Sequence, residues 1–508
     1  MRLVHHYLLE ATERFPDKPA VICDDRTLSY AHFLRNVQGL AAVLAARGCR
    51  RGDRVLILLR NKLDFLIACY AVMAARGVAV PLMEGMALTS IEQIAHHCAP
   101  GFMISSAPDL QPYAGLEATL RCPMIDGGAG AYPASDGAAE PDIDGRDGAM
   151  ILYTSGTTGK RKGVLLSHRN LMQATLNINE FMGIDADIRE FVGIPLTHSF
   201  GFGRSRCVLC AGGTLVVCNG IMNPAIVLKR TQEHACDALS TVPAGFAAMF
   251  LSHLEPLIRQ IGPQIRFVEI GSAPMRRDHK LKVLELFPNA RVCMHYGLTE
   301  ASRSAFLEFH SERDRLDTVG RPSPHVSISI RDEDGRPLGR MEAGEIAIQG
   351  DHVMVQYWQD EALNQQQYTQ DGWFKTGDYG FLDHDGYLHL LGRKDEMINM
   401  GGIKIAPLEV EEHLRELFPD YEMCVVGVPD PAGITGEIPV VCYVPGDDPP
   451  LALGDLTRLL SLRLDRYKMP RELYSFEMLP KTHNGKILRR ELRQRVIEHR
   501  KRVQETIA

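Results

Sequence analysis

One feature constrains this chain more than any other: short, wholly apolar runs alternate with amphipathic helical patterns. Residues 55–59 read VLILL, with no polar position to turn outward. A strand of that kind is buried on both faces, as in a parallel sheet covered by helices. Ahead of it, Ser29 is placed to cap a helix in which Phe33, Val37, Leu40 and Leu44 recur at spacings of four, three and four. Arg47 and Gly48 stop that helix. The pattern then predicts a helix over residues 64–76 and a strand over residues 78–82. Such alternation gives an α/β fold, with helices packed on parallel sheets.

Residues 107–148 break the rhythm. They are rich in Gly, Ala, Pro and Asp and read as a surface connection with little regular structure. Strand and helix signals then resume, including a strand over residues 267–270. After Asp395 the style changes. Short strands over 424–428 and 440–444 alternate with charged helices over 407–417 and 455–466. That is the pattern of a smaller α+β domain. The expected division is a large N-terminal domain of parallel-sheet β/α subdomains, residues 1–393, and a small mobile C-terminal α+β domain, residues 394–508.

Charge and cysteine usage exclude several classes. With 56 Lys+Arg against 63 Asp+Glu, the net charge is −7, which does not suit a chain that lives on nucleic acid. A chain of 508 residues buries a large core without staples. Its twelve cysteines are scattered, and the start MRLVHHYLLEATERF lacks a long apolar region and contains Glu10. These features predict no secretory signal, reduced thiols and a cytoplasmic protein. Residues 207–228 contain no Lys, Arg, Asp or Glu. Gly212, Gly213, Asn219, Gly220, Asn223 and Pro224 interrupt them, so they read as a buried strand, a turn and a helix start, with no integral membrane segment. Cys207 and Cys210 form a CxxC in apolar surroundings, with no second pair at zinc spacing, and read as core thiols.

The stretch richest in chemistry is ILYTSGTTGKRKG, residues 151–163. Its glycines let backbone N–H groups turn inward, its hydroxyls add donors, and its lysines add charge. Together they make a cradle for a polyphosphate. It is not a Walker A loop, because position 154 is Thr where Gly is required and Arg161 follows Lys160. Three further constellations follow: His295-Tyr296-Gly297-Leu298-Thr299-Glu300; Thr376-Gly377-Asp378 with Gly392-Arg393-Lys394-Asp395; and Gly485-Lys486-Ile487-Leu488-Arg489. Each alone is bland. An Asp after Gly is usually a turn residue, and a Gly-Lys before a basic helix is usually a turn.

In this order along one chain, the motifs resemble those of the AMP-forming adenylate ligases: acyl-CoA synthetases, carrier-protein adenylation domains and beetle luciferases. The resemblance spans the chain from about Glu10 to Arg490. It implies that Thr154, Ser155, Gly156, Thr157, Thr158, Gly159 and Lys162 hold the β- and γ-phosphates of ATP. The family usually has Pro where Arg161 stands. Gly271, Ser272, Ala273 and Pro274 match the adenine-side wall, and Tyr296, followed by Gly297, the residue stacked on adenine. Thr299 matches the α-phosphate contact and Glu300 the Mg²⁺ ligand. Asp378 and Arg393 match the residues that hold the ribose, and Asp395 the hinge. Lys486 matches the lysine that bridges the attacking carboxylate and the α-phosphate. Gly401, Gly402 and Lys404 match the thiol tunnel used by CoA.

The implied reaction is ATP-dependent activation of a carboxylic acid to acyl-AMP, with pyrophosphate release, followed by acyl transfer to the thiol of CoA. Two alternatives stay open: loading of a carrier-protein phosphopantetheine, and a luciferase-like oxygenase using the same adenylate. Cations between a carboxylate and ATP lower the barrier where charge concentrates, and Lys486 and Mg²⁺ would supply them. Lys486 is needed in the first step only, which suits a lysine on a mobile domain. Residues 195–202, PLTHSFGF, resemble the segment lining the acid pocket, with His198 near the carboxylate or the tunnel. Amino-acid-activating members place an Asp here, and none stands between Gly193 and Gly213. That favours a fatty, short-chain or aryl acid. Arg303, just after Glu300, either reaches a polar substrate group or is structural. The segment 486–502 carries eight basic and two acidic residues and reads as a solvated helix by default.

Overall fold

A computed structural model of the chain describes residues 3–113, 116, 120, 122–128, 132, 143–155, 161–219, 223–401, 403–445, 450–481 and 487–507, of which 155 and 503–507 are described by backbone alone. The described chain divides into two units, residues 1–328 with 348–374, and residues 329–347 with 375–508.

The first unit contains two large sheets. In the seven-stranded sheet, Arg54–Leu58 lies between Val78–Pro81 and Phe102–Ser105, parallel to both. Val55, Leu56 and Ile57 are fully buried, as an apolar run without an outward face requires. Gly148–Ser155, Arg161–Ser167 and Gln356–Tyr357 extend the sheet on one side. On the other side the structure differs from expectation. Met124–Asp126 adds a parallel edge strand beside Phe102–Ser105, so the 107–148 segment is not wholly irregular. In that strand Ile125 is buried between exposed Met124 and Asp126.

The helix Tyr30–Ala46 is capped by Ser29 and buries Phe33, Val37, Leu40 and Leu44, as the spacing predicts. Gly48, at φ +89°, follows its end. The next helix, Lys62–Ala74, starts earlier than residue 64 because the Asn61 side chain accepts the Leu63 and Asp64 N–H groups at 3.0 and 3.1 Å. It also ends earlier, where Arg76 turns left-handed at φ +67°.

The nine-stranded sheet has six parallel strands at its heart, in the order Arg291–Tyr296, Phe267–Ile270, Ala238–Thr241, Arg189–Val192, Thr214–Val217 and Pro19–Cys23. Antiparallel Ala305–Glu308 and Arg26–Ser29 flank them. Phe267–Ile270 falls where the sequence predicts it. The uncharged 207–228 segment begins as the end of the helix Ser199–Ala211, then forms the buried strand Thr214–Val217, and leads into the helix Pro224–Glu233. Among the described residues no helix is long and apolar enough to cross a membrane. The Cys207 thiol is buried in this core, and burial pushes its pKa up to about 11.

A four-stranded sheet of Ser327–Arg331, Gly344–Gln349, Phe374–Leu382 and Leu388–Arg393 lies mostly in the second unit. A three-stranded sheet of Glu422–Pro429, Glu437–Val444 and Glu472–Ser475 follows. The helix Pro407–Leu417 covers the predicted residues. The helix Leu453–Leu460 is shorter than the predicted 455–466. The Ser461 hydroxyl closes its end on the Arg458 carbonyl at 2.7 Å, and the chain then turns so that Leu464 and Met469 join the core.

Candidate active site

Gly148–Ser155 and Arg161–Ser167 form an antiparallel hairpin with Thr154 opposite Lys162 and Ser155 opposite Arg161. The fully buried Met150 and Ile151 fix its stem. Gly156, Thr157, Thr158 and Gly159, expected to cradle phosphate, lie outside the described residues. Arg161, where the family usually has proline, donates to Ser90 Oγ at 3.1 Å, so this end of the loop is tethered by a side chain. Lys162 Nζ lies 5.2 Å from the centre of the Tyr357 ring.

Tyr357 is the residue that sequence reasoning missed. Its strand, Gln356–Tyr357, pairs with Arg161–Ser167, with Tyr357 opposite Val164. Its hydroxyl donates to Glu300 Oε1 at 2.7 Å. Lys162, Glu300 and Tyr357 therefore come together from three separate segments of the first unit. The signal available in the sequence was the aromatic pair Tyr357-Trp358 in an otherwise polar stretch.

Glu300 is positioned by the turn that follows Arg291–Tyr296. Leu298 and Ala301 exchange backbone hydrogen bonds at 3.0 and 3.2 Å. Met354 N–H donates to the Glu300 carbonyl at 2.7 Å. Gly297 is required, because a Cβ there would stand 2.4 Å from the Arg303 nitrogen. Tyr296 is buried, while Gly297, Thr299 and Glu300 are half-buried. A half-buried carboxylate, oriented by a neutral phenol and next in sequence to a hydroxyl, is an oxygen donor set that suits a hard divalent cation. Gly271 ends the neighbouring strand, where a Cβ would run into the His295 ring at about 2.0 Å. Ser272, Ala273 and Pro274 are exposed beyond it, with Ser272 at φ +76°.

A buried ion cluster supports this turn from beneath. Glu269, fully buried on Phe267–Ile270, meets Arg303 Nε at 3.0 Å, Arg204 Nη1 at 3.1 Å and His295 Nδ1 at 2.6 Å. Burial would raise the Glu269 pKa, but Arg303, Arg204 and His295 outweigh it and hold the carboxyl well below its ordinary range. Burial also lowers the His295 pKa, with Glu269 opposing. Arg204 Nε donates to Glu190 Oε1 at 2.9 Å. Arg303 also donates to the Ser199 and Phe200 carbonyls, each at 3.0 Å. Of the two sequence readings of Arg303, the structural one holds: it ties the Glu300 turn to the start of the helix Ser199–Ala211. Gly203 makes room for it, since a Cβ there would lie 2.4 Å from Arg303 Nη1. His198 is half-buried at the N-cap of that helix, and its N–H donates to the Pro195 carbonyl at 3.2 Å.

The second unit holds its own set of the expected residues. Asp378 and Arg393 are paired in register on adjacent strands. Arg393 Nη1 donates to Asp378 Oδ1 at 2.9 Å and to the Thr376 carbonyl at 3.2 Å. Gly377 between them sits at φ +71°, with Arg393 Nη2 only 2.9 Å from where a Cβ would be. Asp395 is exposed in the 3-10 turn Lys394–Glu396 and pairs with Arg490. Gly401 is exposed at φ +63°, and its N–H donates to the Thr435 carbonyl at 2.7 Å. Lys404 Nζ reaches Glu333 at 2.8 Å, and that hydrogen bond raises its pKa. Gly402 and Lys486 lie outside the described residues. In the terminal helix Arg489–Ile507, Arg489 pairs with Glu411, Arg493 with Glu437, Arg495 with Glu491 and Arg500 with Glu472. Its basic residues are spent largely on the protein's own carboxylates.

A family model described as AMP-binding enzyme matches residues 8–358, and one described as AMP-binding enzyme C-terminal domain matches residues 409–486. Feruloyl-CoA synthase from an Amycolatopsis species is 32% identical, covering 94% of this chain and 96% of that protein. The crystal structure of ATP-bound MatB from Rhodopseudomonas palustris superposes with a TM-score of 0.86 at 26% identity, covering 97% of this chain and 99% of that one. MenE, the o-succinylbenzoate CoA synthetase of Bacillus subtilis, in complex with its acyl-adenylate intermediate, gives a TM-score of 0.83 at 28% identity, covering 96% and 97%. The chain belongs to the AMP-binding enzyme family and is an AMP-forming acid–CoA ligase of the acyl-CoA synthetase type, working with ATP, Mg²⁺ and CoA on a small carboxylic acid.

Proposed function

We propose that this ligase activates a carboxylic acid without an α-amino group, in the cytoplasm, and that CoA rather than a carrier protein takes the acyl group. The observation that carries the reading is the convergence of Lys162, Glu300 and Tyr357 beside Thr299, a cation and a metal-competent carboxylate brought together from three separate segments. The absence of an acidic residue between Gly193 and Gly213 supports the non-amino acid. Neither ferulate nor o-succinylbenzoate, the acids in the names of two relatives, carries an α-amino group.

Roles follow residue by residue. Lys162, with Thr154, Ser155, Gly156, Thr157, Thr158 and Gly159, holds the β- and γ-phosphates. Tyr296 and Gly297, with Gly271, Ser272, Ala273 and Pro274, hold adenine. Asp378 accepts the ribose hydroxyls, oriented by Arg393. Thr299 donates to the α-phosphate and His198 lies towards the acid. Glu300, aimed by Tyr357, would hold Mg²⁺, which when bound supplies charge neutralisation at the phosphates. Lys486 lies between carboxylate and α-phosphate as the carboxylate oxygen attacks and pyrophosphate leaves. The thiol of CoA then attacks the acyl carbon along Gly401, Gly402 and Lys404, and AMP departs. We assign residues 394–508 as the mobile domain, with Asp395 as its hinge.

The test is AMP and pyrophosphate formation over a panel of acids, with and without CoA, with free CoA and a holo-carrier protein compared in single turnovers. Faster transfer to the carrier would replace CoA with the alternative acceptor.

A further inference from the structure

The phosphate hairpin has two faces, and strand register separates them. Residues directly opposite in an antiparallel pair share a face, and the face alternates along each strand. Thr154 opposes Lys162, and Val164 opposes Tyr357, so these four residues share one face. The 5.2 Å between Lys162 Nζ and the Tyr357 ring centre agrees with that. Arg161 and Gly163 belong to the other face, with Tyr153 opposite Gly163. A Cβ on Gly163 would meet the Tyr153 ring at 3.2 Å. The neighbours Arg161 and Lys162 therefore leave the strand in opposite directions.

The helix Leu88–Cys98 covers the Arg161 face. Its Ile91, Ile94, Ala95 and Cys98 are buried in one core with Ile151 and Leu165 of the hairpin. A polar group near each end of the helix then grips one strand. Ser90 Oγ accepts from Arg161 Nη2 at 3.1 Å, at the start of the strand Arg161–Ser167. His97 Nδ1 and the Tyr153 hydroxyl are hydrogen-bonded at 2.8 Å, one residue before Thr154. These bonds span 71 and 56 residues of sequence, so neither comes from local turn geometry. The Arg161 guanidinium is held on the helix side, away from the phosphates that Lys162 is assigned to hold.

We propose that Arg161 and Ser90 are positioning residues for ATP: they fasten the first residue of the strand to the helix and so aim Lys162 at the phosphates from the opposite face. The proposal rests on the assignment of Lys162 to the β- and γ-phosphates. A proline, which the family usually has at this position, restrains the chain through its ring and is tolerated at the first residue of a strand. In this chain the Arg161–Ser90 hydrogen bond supplies the restraint. A lysine on a fastened strand pays less ordering cost when phosphate binds than one on a loose strand end. Pyrophosphate leaves before the thiol attacks, so the restraint serves adenylation and not acyl transfer.

The experiment measures KM for ATP, CoA and the best acid of the panel above in the full-length enzyme, together with conversion of supplied acyl-AMP to acyl-CoA. The variants are Ser90→Ala, Arg161→Met, Arg161→Lys and Arg161→Pro. Loss of a hydrogen bond from a charged donor should raise the KM for ATP about fivefold in Ser90→Ala and in Arg161→Met, with the KM for acid and CoA unchanged. Ser90→Ala/Arg161→Met should be no worse than Arg161→Met, because both changes remove one bond. Arg161→Pro should return the KM for ATP to near wild type, because the ring restores the restraint without the charge. Conversion of acyl-AMP should be unchanged throughout. A KM for ATP kept by Arg161→Lys and lost by Arg161→Pro would mean that Arg161 holds phosphate by charge, and overturns the inference. Additive losses in the double variant overturn it too, as does a parallel decline in every constant and in acyl-AMP conversion. Ser90→Ala removes only the hydroxyl of a half-buried residue, so it decides the matter even where an Arg161 variant folds poorly. An unchanged KM for ATP in Lys162→Ala overturns the phosphate reading itself.

Discussion

Glu269 is the carboxylate on which the buried cluster depends, and Glu269→Gln removes its charge while keeping its shape. The neutral amide leaves Arg303 without a carboxylate partner among the described residues, while Arg204 keeps Glu190. Breaking a buried pair by removing one partner costs roughly 3–5 kcal/mol, because the other charge is left uncompensated. At roughly 2.1 cal/mol/K per residue, a cooperative unit of about 350 residues loses about 4–7 °C of Tm. Circular dichroism melting, with ATP–pyrophosphate exchange on the same samples, reads both consequences. Activity should fall more steeply than stability at 25 °C, since Arg303 ties the Glu300 turn to Ser199 and Phe200. The double variant Glu269→Gln/Arg303→Met should recover part of the lost stability, because it removes the stranded charge, but not the activity. A Tm within about 1 °C of wild type for Glu269→Gln, or no recovery in the double variant, would refute the reasoning.

Other outcomes are equally checkable. Tyr357→Phe removes the hydrogen bond to Glu300 and should raise the Mg²⁺ concentration for half-maximal exchange several-fold, with a small effect on Tm. Asp378→Asn weakens a charge-assisted contact worth roughly 1.5–3 kcal/mol and should raise the KM for ATP by about 10- to 100-fold. Gly203→Ala drives a methyl group into Arg303 and should cost roughly 1–3 kcal/mol in urea unfolding. Burial holds His5, His168 and His352 at about 3, 4 and 4, well below the unfolded value. The unfolded chain thus binds more protons below pH 6.5. Stability from these histidines is complete above that pH and falls by up to about 1.4 kcal/mol per pH unit for each, until the folded pKa is passed. Urea midpoints at pH 7.5 and 5 should differ, and His5→Leu/His168→Leu should shrink the difference.

The fold was legible where local chemistry and tertiary packing agree. The apolar residues 55–59 and the spacing of Phe33, Val37, Leu40 and Leu44 specify burial directly, and burial decides strand and helix. Boundaries slipped where a single side chain decides them: Asn61 starts a helix early and Ser461 ends one early. The phosphate hairpin, the Glu300 turn and the Asp378–Arg393 pair are each local in sequence or adjacent in register, so motif spacing exposes them. Tyr357 is not local. It reaches Glu300 from 57 residues away through strand pairing, which no periodicity encodes. The ion cluster left a fainter trace: Glu190, Glu269, Arg204 and Arg206 are charges set within apolar strands and an apolar helix. A charge in such a place demands a partner, but only the fold says which one, and that Arg206 has no carboxylate among the described residues.

The most direct test of the central claim is product analysis by mass spectrometry of wild type and Lys486→Ala, given ATP, Mg²⁺, CoA and an acid that supports turnover. The account predicts AMP, pyrophosphate and acyl-CoA from wild type. It predicts that Lys486→Ala fails to form the adenylate yet still converts supplied acyl-AMP to acyl-CoA. Formation of ADP and phosphate, or equal adenylation by Lys486→Ala, would contradict it.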